Sequence, residues 1–227
     1  MPKEKLKSEN REAVGGLAAS LSPRFRENKM IKRLDTDKGR FYEIDGVGRF
    51  PSVTHILSVI DKPALKFWYR KKAIETFRNN WEKIRTGTLT PDEFEAILTE
   101  AKGKAEEETT EASDVGTRVH EKLEQIVKSV IQFGKPIVIP DDPDNRVVNC
   151  VSAYMDWAKK VNFKPAESEL MVYSRKLKTA GTIDTIGYVN NKLGVVDFKS
   201  SKAFYPEMGV QVSVYQKCYE EMTGKKI

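Results

Sequence analysis

Residues 181–201, GTIDTIGYVNNKLGVVDFKSS, constrain the fold most strongly, because two alternating apolar runs flank Asn190-Asn191. Asparagine tolerates the positive φ of a two-residue hairpin loop, so this spacing predicts two antiparallel strands. Counting outward from that loop places Asp184 opposite Asp197, with the two side chains roughly 5 Å apart on one face. The pattern therefore predicts two carboxylates facing each other within a largely apolar hairpin.

Lys199 is expected on the same face as Asp197, because side chains repeat with a period of two along a strand. A four-residue loop keeps Asp184, Asp197 and Lys199 together, whereas a slip by one residue separates them. Opposed carboxylates destabilise a sheet unless positive charge lies between them. Two interpretations stay open at this point: a site for magnesium or manganese that supports phosphodiester chemistry, or a structural ion pair.

Composition limits the remaining classes of protein. The 227 residues are 39% hydrophobic and 32% charged, and no apolar run approaches the roughly 20 residues of a membrane span. The N-terminus lacks the apolar segment of a signal peptide, so we expect a cytoplasmic protein. The net charge of +6 favours a polyanionic partner. Cys150 and Cys218 are too few for an iron–sulfur cluster and indicate a reducing compartment.

The chain order predicts a basic arm followed by a single domain. Residues 1–38 are expected to form a flexible basic arm, and a short hairpin turning at Asp45-Gly46 precedes a helix capped by Ser52. Pro63 starts an aromatic helix, and Thr90-Pro91 starts an acidic one. Later segments are predicted as a helix capped by Ser113 or Asp114, a helix over 144–160, a strand before the hairpin, and a last helix over 207–222.

Two segments carry further candidate residues with open alternatives. His120 borders the apolar stripe of its helix and has Glu124 one turn on, so it is either a satisfied core residue or a ligand. Residues 66–72, KFWYRKK, mix aromatic and basic residues as single-strand binders do. The alternative is a core tryptophan beside a solvated basic face. The candidate nucleic-acid contacts are Trp68, Tyr69, Arg70 and Lys71.

Four motifs, GTRVH, GTIDTIG, GVVDFKSS and QVSVYQKCY, occur in this order. Together they resemble the PD-(D/E)XK nuclease superfamily, specifically its RecB-like exonuclease branch. FPSVTHIL, ahead of an aromatic helix, looks like the opening of the mitochondrial genome maintenance exonuclease group and its phage relatives. The likeness covers residues 40–227.

The resemblance implies a fold and a domain organisation. The expected fold class is α/β (α+β), with a restriction-endonuclease-like core in which helices flank a central mixed sheet, and with an N-terminal helical elaboration. Residues 39–227 would form one nuclease domain, and residues 63–112 a helical insertion, or arch, that admits a single-stranded end. Relatives place another strand after the last motif helix. We therefore expect truncation, or completion of the sheet by the N-terminal hairpin or by another subunit.

The same resemblance implies roles for individual residues. His120, Asp184, Asp197 and the backbone carbonyl of Phe198 would hold Mg²⁺ or Mn²⁺.

Lys199 would be the catalytic lysine. Gln211 and Tyr215 would contact the scissile region or support that lysine. Glu169 matches a glutamate often found on the strand before the first aspartate, although a glutamate at a strand start is usually just solvated.

The expected activity is metal-dependent hydrolysis of DNA phosphodiester bonds, by an exonuclease acting on single-stranded ends in replication, recombination or repair. One alternative is a structure-specific endonuclease on the same core. Another is a non-catalytic DNA-binding or packaging accessory protein. Expected partners are single-stranded DNA and a helicase or recombination protein, and no membrane is expected. The resemblance implies the cytoplasm of a bacterium or of the host cell of a phage.

Overall fold

The computed structural model describes residues 30–60, 62–138, 141–201 and 203–227. Within these ranges the elements follow in the order β1 (Ile31–Thr36), β2 (Gly39–Ile44), β3 (Gly48–Pro51), α1 (Val53–Leu57), α2 (Pro63–Asn79), α3 (Trp81–Arg85), α4 (Pro91–Phe133), α5 (Asn145–Lys160), β4 (Lys164–Ser174), β5 (Thr179–Val189), β6 (Lys192–Val196) and α6 (Pro206–Thr223). The described residues divide into two compact units, one within residues 30–59 and 119–227 and one within residues 60–118.

The N-terminal sheet of the first unit is an antiparallel meander in the order β1-β2-β3. The predicted hairpin turn is confirmed, with Gly46 at a φ of +67°. The Oγ of Ser52 accepts a hydrogen bond from the His55 amide at 3.0 Å, which confirms the predicted cap of α1. The prediction of a flexible arm is wrong for residues 31–36, because they form strand β1. Residues 1–29 of the predicted arm lie outside the described residues.

The C-terminal sheet is a second meander, in the order β4-β5-β6. Val189 pairs with Lys192, as counted from the sequence, and the register continues to Thr185 opposite Val196. Asn190 and Asn191 take φ values of 50° and 65°, the left-handed conformation that the two-residue loop requires. The predicted hairpin and its register are confirmed.

The prediction of one central mixed sheet is wrong for the described residues, which form two antiparallel three-stranded sheets in an α+β fold. An isolated parallel bridge joins Ser52 to Ala180 at the start of β5. There, the Thr179 hydroxyl donates to the Pro51 carbonyl oxygen at 3.0 Å. The N-terminal sheet therefore contacts β5 at this bridge but does not add a strand to the C-terminal sheet, because a ladder needs a continuous run of paired backbone groups.

Helix α6 packs on the C-terminal sheet and places the last motif beside the hairpin. The buried cluster between them consists of Val53, Val172, Ile183, Ile186, Tyr215, Cys218 and Tyr219. The Ser174 hydroxyl donates to the Glu221 carboxylate at 2.6 Å, which fixes the C-terminal half of α6 against β4. The helix ends at Thr223 and is capped by Gly224, whose φ of +74° suits a left-handed C-terminal cap.

The second unit consists of α2, α3 and residues 91–118 of α4. Thr90 and Glu93 form a reciprocal capping box at the predicted start of α4, with Thr90 N donating to Glu93 at 2.8 Å. The predicted cap at Ser113 or Asp114 is wrong, because both residues lie inside one continuous helix from Pro91 to Phe133. The alanine- and glutamate-rich segment before them favours helix strongly enough to continue through two residues that often cap helices.

No helix within the described residues combines the length and apolar character that crossing a membrane requires.

Candidate active site

The Asp197 carboxylate contacts two other motif residues. Its Oδ2 contacts the Lys199 ammonium, and its Oδ1 accepts a hydrogen bond from the Gln211 amide at 3.2 Å. Only 5% of the Asp197 side chain is exposed, so both partners act on a largely desolvated carboxylate. This places residues from the D-x-K motif and from α6 around one group.

Asp184 faces the same site from β5. Its Oδ2 accepts a 2.7 Å hydrogen bond from the Phe198 amide and lies 3.6 Å from the His120 Nδ1 atom. Burial raises the pKa of the Asp184 carboxyl, and the negative charge of Asp197 raises it further. His120, the Phe198 amide and Lys199 oppose that rise. The repulsion between the two carboxylates is therefore relieved by a positive group beside them, as the sequence suggested.

The hairpin register explains how these groups meet. The ladder ends at Thr185 opposite Val196, so Asp184 and Asp197 are the next residue beyond that pair on each strand. There the chain leaves the ladder, and the Phe198 amide turns to the Asp184 carboxylate. The predicted convergence of the two aspartates is therefore achieved at the end of the hairpin, through a backbone hydrogen bond.

Lys199, Gln211 and Tyr215 form a linked set. The Lys199 ammonium also donates to the Phe198 carbonyl oxygen at 3.4 Å, and the Gln211 amide donates to the Tyr215 hydroxyl at 3.2 Å. Gln211 and Tyr215 are 8% and 4% exposed, and burial raises the pKa of the tyrosine hydroxyl. The tyrosine stays neutral at physiological pH and holds the glutamine that contacts Asp197.

Glu169 lies opposite Asp184, between the Ser168–Thr185 and Leu170–Ile183 pairs of the β4–β5 ladder. Its φ of 53° is unusual for a glutamate and interrupts the strand locally. Desolvation raises its pKa to about 7, and the charges of Glu124 and Asp184 act in the same direction. The residue as a whole is partly open to solvent, and its carboxyl lies close enough to Asp184 to be affected by that charge.

The donor atoms at this site suit a hard divalent cation. In the described part of the chain, no three His, Cys, Asp or Glu side chains form a group that could hold a metal ion. The predicted metal ligands include the Phe198 backbone carbonyl. The Asp197 carboxylate and the Phe198 carbonyl each place an oxygen in contact with the Lys199 ammonium. Carboxylate and carbonyl oxygens that already attract a positive group are the ligands that Mg²⁺ and Mn²⁺ prefer, so the residues present fit such an ion.

Two of the predicted nucleic-acid residues are engaged within the second unit. Trp68 and Tyr69 are half-buried and pack edge to face at 5.3 Å. The Tyr69 hydroxyl lies 3.3 Å from the Thr109 hydroxyl, and Lys72 forms a 2.9 Å ion pair with Glu108. These contacts hold α2 against α4.

The neighbouring residues of α2 are exposed. Arg70 and Lys71 face solvent, as does Phe67 with 61% exposure, and the Arg70 guanidinium lies 4.9 Å from the centre of the Phe67 ring. Leu65 and Ile74 on the same helix are also exposed, at 43% and 59%. Apolar residues lie on several sides of this helix, so their spacing in the sequence could not show that the Phe67 ring is exposed.

Sequence reasoning also missed polar residues on the N-terminal sheet. The Tyr42 hydroxyl lies 2.9 Å from the Thr182 hydroxyl, two residues before Asp184, and Arg33 pairs with Tyr42 across the β1–β2 ladder. The turn residues between Thr36 and Gly39 could have indicated a hairpin that includes β1.

No protein-family model and no curated protein matches the chain. The resemblance to PD-(D/E)XK nucleases therefore depends on the four ordered motifs.

Proposed function

We propose that the protein is a metal-dependent nuclease with a restriction-endonuclease-like core, which hydrolyses DNA as an exonuclease on single-stranded ends. One observation carries the proposal: Asp184, Asp197, Lys199 and Gln211, from three of the motifs, contact one another or the intervening Phe198 backbone. A purely structural ion pair would not require a buried glutamine amide on the same carboxylate.

The side chains divide the work of phosphodiester hydrolysis. Asp184, Asp197, His120 and the Phe198 carbonyl would hold Mg²⁺ or Mn²⁺. Such an ion, when bound, polarises a phosphoryl oxygen and lowers the pKa of a water. Lys199 orients the attacking water and stabilises the negative charge that develops on the phosphate.

Two further residues keep Asp197 in place. Gln211 donates to its carboxylate, and Tyr215 supports Gln211 from the buried side of α6. Their role is positioning, because the contacts that they make are with other residues of the site.

Three features support single-stranded DNA as the substrate. The net charge of +6 favours a polyanion. On α2, Phe67 offers an exposed ring beside Arg70, and aromatic rings stack on unpaired bases. Residues 63–112 also occupy the position that forms an arch in the exonucleases that the sequence resembles.

The direct test is cleavage of end-labelled single-stranded oligonucleotides with magnesium or manganese. D197N and K199A should each lower the rate at least about a hundredfold, because each removes charge from the reacting centre. The matched controls D156N, on the exposed side of α5, and K192A, at the hairpin turn, should retain the parental rate. Cleavage that survives in D197N would refute the assignment.

Covalently closed single-stranded circles distinguish the two modes of cleavage. An exonuclease degrades the linear oligonucleotide and spares the circle, whereas an endonuclease cuts both. Salt-sensitive binding without cleavage in either metal would instead favour the accessory protein.

A further inference from the structure

Two arginines on the N-terminal sheet are held side by side by one carboxylate. The Nε atoms of Arg33 and Arg40 each donate to Asp35 at 2.8 Å, one to each carboxylate oxygen. The arginine side chains are 42% and 40% exposed. Exposed ion pairs contribute only about 0–1 kcal/mol to stability. The main effect of these contacts is therefore to fix the positions of the two guanidinium groups.

The face that carries these arginines leads to the carboxylate site. Arg33 pairs with Tyr42 across the ladder, so the two side chains share a face of the sheet. The Tyr42 hydroxyl reaches the Thr182 hydroxyl on β5 at 2.9 Å. Thr182 precedes Asp184 by two residues and projects to the same side of that strand. The arginine pair therefore lies on the side of the N-terminal sheet that adjoins Asp184.

Electrostatics agrees with this position. The positive charge of Arg33 lowers the pKa of Glu169, the residue opposite Asp184, against the larger effects of burial, Glu124 and Asp184. Hydrogen bonds from Arg40 and Arg33 lower the pKa of Asp35, which keeps it ionised and both arginines in place. A site rich in carboxylates repels a polyanion, and cations at its edge offset that repulsion.

Both guanidinium groups retain the atoms that recognise phosphate. Each contacts Asp35 through Nε, and neither makes another hydrogen bond or ion pair within the described residues. The two terminal amino groups of each arginine can therefore donate to phosphate oxygens. Arginine binds phosphate through two parallel hydrogen bonds, which orients it more strictly than a lysine would.

We infer that Arg33 and Arg40 form a phosphate-binding pair that holds the backbone of single-stranded DNA beside the carboxylate site. The choice of ligand rests on the proposed nuclease function, while the arrangement of the arginines does not. These residues bind and position the strand and take no part in bond breaking.

The test measures binding separately from cleavage. In a D197N background with EDTA, affinity for a fluorescent oligothymidylate is followed by anisotropy over a range of salt concentrations. R33Q/R40Q should reduce the slope of log affinity against log salt by about 1.4, since each phosphate contact to a single strand contributes about 0.7. Affinity at low salt should fall at least about tenfold.

The matched control is R49Q. Arg49 lies on the opposite face of the same sheet, with its guanidinium 4.2 Å from the centre of the Phe41 ring, and R49Q should retain the parental slope. R33K/R40K should also keep most of the slope, because it retains both charges. Thermal unfolding of each variant verifies that it folds.

Three results overturn the inference: no binding by the D197N parent, the same slope in R33Q/R40Q as in R49Q, or equal loss in R33K/R40K and R33Q/R40Q. Cleavage by the wild-type protein is scored separately. A wild type that cleaves, with an unchanged slope in R33Q/R40Q, refutes the arginine pair alone. A wild type that binds through the pair but does not cleave refutes the nuclease alone.

Discussion

Gly181 provides a sharp test of how the site is supported, because the ring of Tyr215 lies directly against it. A Cβ added at Gly181 would lie 2.5 Å from Tyr215 Cε1, whereas carbon atoms pack best at about 3.5–4.0 Å. G181A would therefore force the ring to move by about 1 Å. That ring is 4% exposed and belongs to the core cluster on α6, so it has little room to move.

The expected cost follows from two opposing effects. Overpacking a core costs about 1–3 kcal/mol, and replacing glycine in a strand recovers about 0.5–1 kcal/mol. We expect a net loss of about 1–2 kcal/mol, which corresponds to a fall in Tm of about 2–8 °C for a chain of this size. The displaced ring would also disturb Gln211, so we expect the cleavage rate to fall by about tenfold.

Thermal unfolding and oligonucleotide cleavage measure these two effects. The matched control is G194A on the adjacent strand, where an added Cβ meets nothing within 4 Å, and it should be as stable as the parent or slightly more so. If G181A unfolds at the same temperature as G194A, the close packing of Tyr215 on β5 is refuted.

Three further sets of substitutions test other parts of the structure. F67A should weaken binding of a fluorescent oligothymidylate by about fivefold or more, since stacking contributes about 1–3 kcal/mol per base, whereas Y69F should bind as the parent does in the same anisotropy titration. The folded-state pKa of Glu169 is raised to about 7, so stability falls as pH rises from its ordinary pKa of 4.5 toward 7. E169Q should lose that dependence and show a higher Tm than the parent at about pH 8 in EDTA; a parallel pH profile would contradict this. N191G should retain the stability of the parent and N191V should lose about 1–2 kcal/mol in urea unfolding, because valine resists the left-handed conformation; equal stability would contradict the role of that turn residue.

The hairpin could be predicted from sequence because local chemistry determines it. Asn190 and Asn191 specify the loop, and the two-residue period of the strands then places Asp184 and Asp197. Gln211 and Tyr215 followed from the resemblance, and their four-residue spacing on a helix accounts for their contact.

The remaining features depend on contacts that local patterns do not determine. Strand β1 is polar and lies at a sheet edge, so it lacks the apolar alternation of a core strand. The bridge between Ser52 and Ala180 joins segments that are distant in sequence, and it is an isolated pair that does not continue into a ladder. Ser113 and Asp114 often cap helices, but the surrounding helix propensity outweighs that tendency.

Divalent-cation binding by Asp184 and Asp197, with Lys199 beside them, is the property on which the proposed function most depends. Diffraction from crystals soaked in manganese, collected at the manganese absorption edge, tests this directly. We predict an anomalous peak within bonding distance of a carboxylate oxygen from each aspartate, and its loss in D184N/D197N. Strong manganese peaks elsewhere, with no density between these two carboxylates, would contradict the account.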